Sequence, residues 1–298
     1  MIRIKIPATT ANLGPGFDTL GMALDVYNIV EVKEEEGKGL NIQIIGLGEG
    51  ILPTNKENIV YQAAEKVFQQ VGIYPRNLQM RLTNNIPLSR GLGSSAAAIV
   101  GGIVAGNLLT GNHLPMEELL KIATKIEGHP DNVAPALLGG LVISCMEGDE
   151  VVYLRLEPSQ QLKAVVAIPE FHLSTEKARQ VLPKEVSFQD AVFNTSRVAL
   201  LIAAITSGNW DILHFATQDR LHQSYRSSLI PGMEEVFKAS KEAGAKAVTI
   251  SGAGPSLLAL ATENTEEIAK AMENAFSKHQ IKSNVQIMNV CLSGCVNF

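Results

Sequence analysis

The chain has 298 residues, 46% hydrophobic and 18% charged, which excludes a disordered polymer and supplies a core for one large domain or two of about 150 residues each. A formal net charge of −5 with no Lys/Arg-rich tract gives no electrostatic reason to bind nucleic acid, and no apolar run is long and clean enough to span a membrane. Three cysteines, Cys145, Cys291 and Cys295, match neither a disulfide framework nor a four-ligand zinc site; a reducing cytoplasmic setting is expected, with Cys291 and Cys295 as small structural residues.

The opening MIRIKIPATTANLG lacks the apolar core of a signal peptide and alternates over Ile2 to Ile6 as a first strand does. PATTANLGPGFDTLG, rich in Gly, Pro, Asn and Thr, then predicts a long shaped loop, with strands resuming at Asp25 to Lys33 and Leu40 to Ile45 around the solvated turn Glu34 to Glu36. Ile59, Val60, Ala63, Ala64, Val67, Phe68 and Val71 carry the spacing of an amphipathic helix over Asn58 to Val71. Leu78 to Leu82 alternates as a strand and leads into PLSRGLGSSAAA, Pro87 to Ala98. The helix that follows is apolar on all sides, with Gly101 and Gly102 keeping it slim, so it should be buried. Met116 to Glu127 reads as another helix, EGHPDNVAPALLGG as a second long loop, and Leu141 to Met146 as a strand.

Past a charged and polar stretch, Glu147 to Gln161, a second series begins. It has a strand at Lys163 to Ile168, helices near Thr175 to Leu182 and Phe188 to Ser207, a helix near Pro231 to Ala243, strands at Ala247 to Ile250 and Leu257 to Ala261, a helix at Thr265 to Lys278 and a strand near Val285 to Val290. This order predicts an α+β chain of two domains, 1–155 and 156–298.

Four Gly- or Asn-rich loops carry the chemistry. In GLGSSAAA, glycines and hydroxyls precede a helix, where unpaired N–H groups and the positive helix end can hold phosphate, though a plain N-cap would look similar. It is not the Gly-x4-Gly-Lys-Ser/Thr loop, which never occurs in the chain. EGHPDN gathers two carboxylates, an imidazole and an amide, suited to Mg²⁺ beside phosphate or equally to a tight turn. PATTANLGPGFDTLG and SGAGPS, Ser251 to Ser256, could bring backbone close to a ligand or simply turn the chain.

Together and in this order, these stretches resemble the GHMP kinase superfamily, and within it the homoserine kinases. The resemblance runs from the first strand to the last. It implies an N-terminal domain like domain 2 of ribosomal protein S5, a C-terminal ferredoxin-like α/β plait, and ATP, Mg²⁺ and L-homoserine between them in a cytoplasmic homodimer that makes O-phospho-L-homoserine for threonine biosynthesis. It implies that Asn58 and the run Pro87, Leu88, Ser89, Arg90, Gly91, Leu92, Gly93, Ser94, Ser95, Ala96 and Ala97 bind ATP, that Ser95 and Glu127 hold Mg²⁺, and that Gly252 and Gly254 shape a structural loop. Glu127 stands closer to the Asp131–Asn132 pair here than the matching glutamate does in some relatives. Asn12, Asp18, His129, Asp131, Thr175, Arg179 and Arg226 match substrate-facing positions, with Asp18 toward the ammonium and the two arginines toward the carboxylate; Asp131 and Asn132 join Ser95 and Glu127 as catalytic residues. A kinase for mevalonate or a sugar would need no partner for an ammonium, and a ligand sensor of this fold would lack part of the phosphate and Mg²⁺ set.

Overall fold

The computed structural model describes every residue from Met1 to Phe298. The first strand, β1 (Ile2–Ala11), pairs antiparallel with β2 (Leu20–Glu34) along its whole length. Both strands therefore run well into the stretch expected to be loop, and the true connection is only 12–19. A bulge between Pro7 and Ala8 accommodates the proline, and beyond it Thr9, Thr10 and Ala11 are fully buried against Met22 and Ala23, so tertiary pairing overrides their turn-like composition.

The first sheet continues through β3 (Gly39–Gly46), α1 (Ile59–Val71) and β4 (Asn77–Asn84), with β3 and β4 parallel and β4 antiparallel to β2. Next come α2 (Ser94–Leu109), α3 (Met116–Glu127), α4 (Pro130–Leu138) and the hairpin of β5 (Leu141–Glu147) and β6 (Glu150–Leu156), whose first strand pairs with the start of β2. Two expectations are corrected here. The segment after His129 is a helix rather than a loop: Pro130 occupies its first turn, and Pro135 cannot donate to the Asp131 carbonyl. That freed carbonyl meets the β2 backbone at Gly21, where an added Cβ would lie 1.6 Å from it. EVVYLRL, expected to belong to the charged and polar stretch Glu147 to Gln161, is strand β6, with its residues alternating half-buried and exposed over most of its length.

The second layer holds β7 (Lys163–Pro169), α5 (Thr175–Gln180), α6 (Phe188–Ser207), α7 (Leu213–Ala216), α8 (Gln223–Arg226), α9 (Met233–Glu242), β8 (Ala247–Ile250), β9 (Leu257–Ala261), α10 (Thr265–Lys278) and β10 (Ser283–Asn289). Its four strands lie in the order β10-β7-β9-β8, all antiparallel, with α9 and α10 as the two crossovers, which is the βαββαβ order of a ferredoxin-like plait. Val165, Ala167, Leu257 and Ala259 face α9 and α10, while Ala164, Val166, Leu258 and Leu260 face α6 and α7 and join one continuous core with the first sheet. A last short strand, β11 (Val296–Asn297), returns to pair with β1. Burial pushes the Cys295 thiol up to about 12, so it stays protonated as a packing group. No helix is long and apolar enough to cross a membrane.

As expected, α2 is buried, and its slimness has a definite use: the Gly102 Cα sits against α1 so closely that a Cβ would lie 2.2 Å from the Val60 carbonyl oxygen. Gly102→Ala should therefore destabilise the fold by about 1–3 kcal/mol, measured by urea unfolding, although alanine ordinarily favours a helix by about 1 kcal/mol over glycine. A midpoint that stays or rises would show that the two helices separate without strain.

Candidate active site

A cavity of about 600 Å³ opens between the loops of the two layers, and all four motifs contribute to its wall. Ser89, Gly91 and Gly93 lie in the left-handed region (φ 53°, 75° and 68°), bending Pro87 to Gly93 into a cradle that ends at α2. Gly93 is the residue preceding α2 and no side chain caps that helix, which leaves the N–H groups of its first turn, at Ser94 and Ser95 on the cavity wall, for an anion. Pro87, Ala96 and Ala97 lie off the wall, and the Ala97 N–H donates to Gly93 O. Leu92 is buried yet reaches the cavity, and Leu88 lines its edge. Arg90 donates to Glu170 O and contacts His172 Nδ1, tying the cradle to the second layer. Asn58 also lines the cavity, but its side chain is engaged in starting α1, accepting from the Val60 N–H at 2.9 Å and donating to Pro53 O at 2.7 Å.

The SGAGPS turn holds these loops together. Ser251 Oγ donates to Gly91 O (2.6 Å), Gly252 N–H donates to Ala11 O (3.1 Å), and Gly252 O accepts from Asn12 Nδ2 (2.8 Å) and Arg226 Nη1 (3.1 Å). A Cβ at Gly91 would lie 2.2 Å from Ser251 O, and Gly254 lines the cavity beside it.

On the opposite wall, Ser95 Oγ donates to Glu127 Oε2 at 2.9 Å, with Glu127 at the end of α3. Burial raises the Glu127 pKa, against the lowering effect of the Ser95 hydroxyl and His129. A hydroxyl and a desolvated carboxylate side by side form a hard-oxygen pair that a divalent cation would favour, so these residues fit Mg²⁺. Asp131, 2% exposed in the first turn of α4, accepts at Oδ1 from His129 Nδ1 and from Asn132 Nδ2 (3.1 Å), leaving Oδ2 without a protein donor. Thr9 Oγ1 donates to Asn132 Oδ1 at 2.8 Å and so fixes that amide. For His129, burial opposes protonation, but the Asp131 carboxylate outweighs it and the pKa rises.

The last group lies beside His129 and Asp131. Asp18, held in the left-handed region (φ 54°) with its N–H on Asn12 Oδ1, forms a two-pronged ion pair with Arg179 at 2.7 and 3.0 Å. Ligand atoms of Asp18, His129 and Asp131 all lie within 4.8 Å of one another. Thr175 lines the cavity at the start of α5. Arg226 is only 1% exposed, on α8, and its guanidinium meets three neutral acceptors, Ala178 O, Gly252 O and His222 Nδ1, and no carboxylate. Burial lowers its pKa to about 10, with Arg179 adding to the effect. The sequence reading did not single out Phe17, whose ring lies under both arginines at 5.3 and 5.4 Å, or the polar DRLHQSYR run around His222; the only local signal was the concentration of polar residues before Arg226.

The family described as GHMP kinases N terminal domain matches residues 58–140, and GHMP kinases C terminal matches residues 198–279. The fold and the cradle at α2 thus belong to a GHMP kinase. A homoserine kinase from Moorella thermoacetica is 51% identical over 293 residues, 98% of this chain and 98% of that protein, and one from Caldicellulosiruptor saccharolyticus is 49% identical over 288 residues, covering 97% and 93%. The crystal structure of homoserine kinase from Cytophaga hutchinsonii has a TM-score of 0.92 at 34% identity, over 100% of this chain and 97% of that one. Within the superfamily, the chain belongs to the homoserine kinases.

Because Asp131 is what holds a proton on His129, Asp131→Asn should lower the His129 pKa, read from its ring-proton NMR titration. An unshifted or higher value would mean that the other carboxylates nearby, not Asp131, set it.

Proposed function

We propose that this kinase transfers the γ-phosphoryl group of ATP to the side-chain hydroxyl of L-homoserine, in line and with Mg²⁺. The observation that carries the reading is Arg226, a guanidinium almost wholly removed from water whose hydrogen-bond partners are all neutral, with Asp18, Asp219 and Asp131 acting on it only from beyond contact. A buried cation with no anion in contact is unfavourable, and the carboxylate of a bound amino acid supplies that contact. Asp18 and Arg179 neutralise each other, so a ligand that separates them must offer both an ammonium and a carboxylate. A zwitterion does so, whereas mevalonate lacks the ammonium and a sugar lacks both.

The nucleotide phosphates take the first-turn N–H groups of α2 and the Gly91–Ser95 backbone, which place partial positive charge along the transferred group with no lysine involved. Ser95 and Glu127 would hold Mg²⁺, which neutralises phosphate charge when bound. Asp131 Oδ2 orients the acceptor hydroxyl, held in place by His129 and Asn132 on its other oxygen. The bond from the acceptor oxygen to phosphorus forms as the bond to the ADP oxygen breaks, and the hydroxyl proton leaves late.

ADP release should rise with ATP, Mg²⁺ and L-homoserine and not with mevalonate, galactose or L-serine, and Arg226→Ala should act mainly by raising KM for L-homoserine. ATP binding with no acceptor-dependent turnover would replace the kinase reading with a ligand sensor. Asp131→Asn should keep near-normal kcat; a fall of about 10² to 10⁴ would make Asp131 a general base instead.

A further inference from the structure

We infer that His222 is a positioning residue that sets the span of the acceptor site, joining the arginine that meets the carboxylate to the loop that carries Asp18. This rests on the reading of Arg226 given above. His222 is fully buried: Nε2 lies 2.7 Å from Gly14 O, with Asp219 Oδ2 farther off at 3.7 Å, and Nδ1 lies 3.2 Å from Arg226 Nη1. A carbonyl can only accept, so the proton sits on Nε2. A guanidinium can only donate, so Nδ1, which faces it, is bare and accepts from it. With Ala178 O on Nε, and Gly252 O and His222 on Nη1, the guanidinium cannot rotate, and Nη2 is its one nitrogen without a protein partner. The arginine lines the cavity.

The same histidine anchors the other half of the site. Gly14 begins the turn that runs through Phe17 to Asp18, and the Phe17 ring packs on His222 at 5.2 Å. Asp219 holds the histidine's own backbone: Oδ2 accepts from the N–H of His222 (2.9 Å) and Gln223 (2.7 Å), while Asn194 bridges Asp219 Oδ1 to Pro15 O. Burial, with the Arg226 charge, lowers the imidazole pKa against the pull of Asp219, consistent with a neutral ring.

Two variants separate the engagements. In His222→Gln the terminal amide can still donate to Gly14 O, but nothing accepts from Arg226; in His222→Asn an oxygen stands near the Nδ1 position, but the donor to Gly14 is lost. KM for L-homoserine, KM for ATP, kcat and Tm are measured for both, with Arg226→Ala alongside. His222→Gln should raise KM for L-homoserine about tenfold or more, the worth of a hydrogen bond to a charged group, with KM for ATP unchanged. His222→Asn, which frees the Gly14 end of the same bridge, should also raise KM for L-homoserine, by about threefold or more. A KM for L-homoserine unchanged in either variant, at a similar loss of Tm, would reduce His222 to a packing residue and overturn the inference. If Arg226→Ala leaves KM for L-homoserine unchanged, the reading beneath fails; if it raises KM and His222→Gln does not, only the inference fails. Should neither histidine variant fold, the ¹⁵N pattern of the wild-type imidazole decides: a neutral Nε2–H ring between about pH 6 and 8 supports the proposal, and a proton on Nδ1 overturns it.

Discussion

The carbonyl of Gly252 is the point on which the site depends. It accepts from Asn12 at the end of β1 and from Arg226 on α8, and the same turn fastens the glycine-rich cradle before α2 through Ser251 and Gly91. Residues some 240 positions apart in the chain thus share one backbone turn, and the two layers can only meet there with the cradle, the Asp18 loop and the buried arginine in fixed relation. Because these are backbone and buried side-chain bonds in a water-poor setting, each is worth more than its surface equivalent, and losing one strands its partners.

Charge in this site is arranged before any ligand arrives. Arg226 is buried among neutral acceptors, Glu127 is desolvated beside a hydroxyl, and the start of α2 has no side-chain cap. Asp18 with Arg179, and Asp131 with His129, are mutually satisfied. Under the proposed function, such a site is complementary to a zwitterion, a polyphosphate and a divalent cation together. This is the preorganisation that phosphoryl transfer needs, since the chemistry offers little else for the protein to do.

The left-handed backbone at Asn12, Asp18 and Ser89 belongs to the same design. None is glycine, and each sits where a side chain or loop must be aimed into the cavity. The strain is held by tertiary bonds such as Asn12 to Gly252 and Asp18 N–H to Asn12 Oδ1.

What the sequence determined by itself was the periodic part: the amphipathic spacing of α1, the slim apolar α2, the helix Phe188–Ser207 and the strands of the second layer all read correctly because their burial patterns repeat locally. The motif loops were legible as a set, since their order and residue types are uncommon together. Tertiary structure decided the rest. β1 and β2 lengthened through a turn-like stretch because their buried ladder outweighed local preference, α4 formed in a segment with two prolines because the sheet packs against it, and β6 formed where flanking charges hid its alternation. The partners of Arg226, Asp131, Gly252 and His222 come mostly from contacts between residues far apart in the chain. No local pattern encodes such contacts, because their energy is set by burial and geometry that only the assembled layers create.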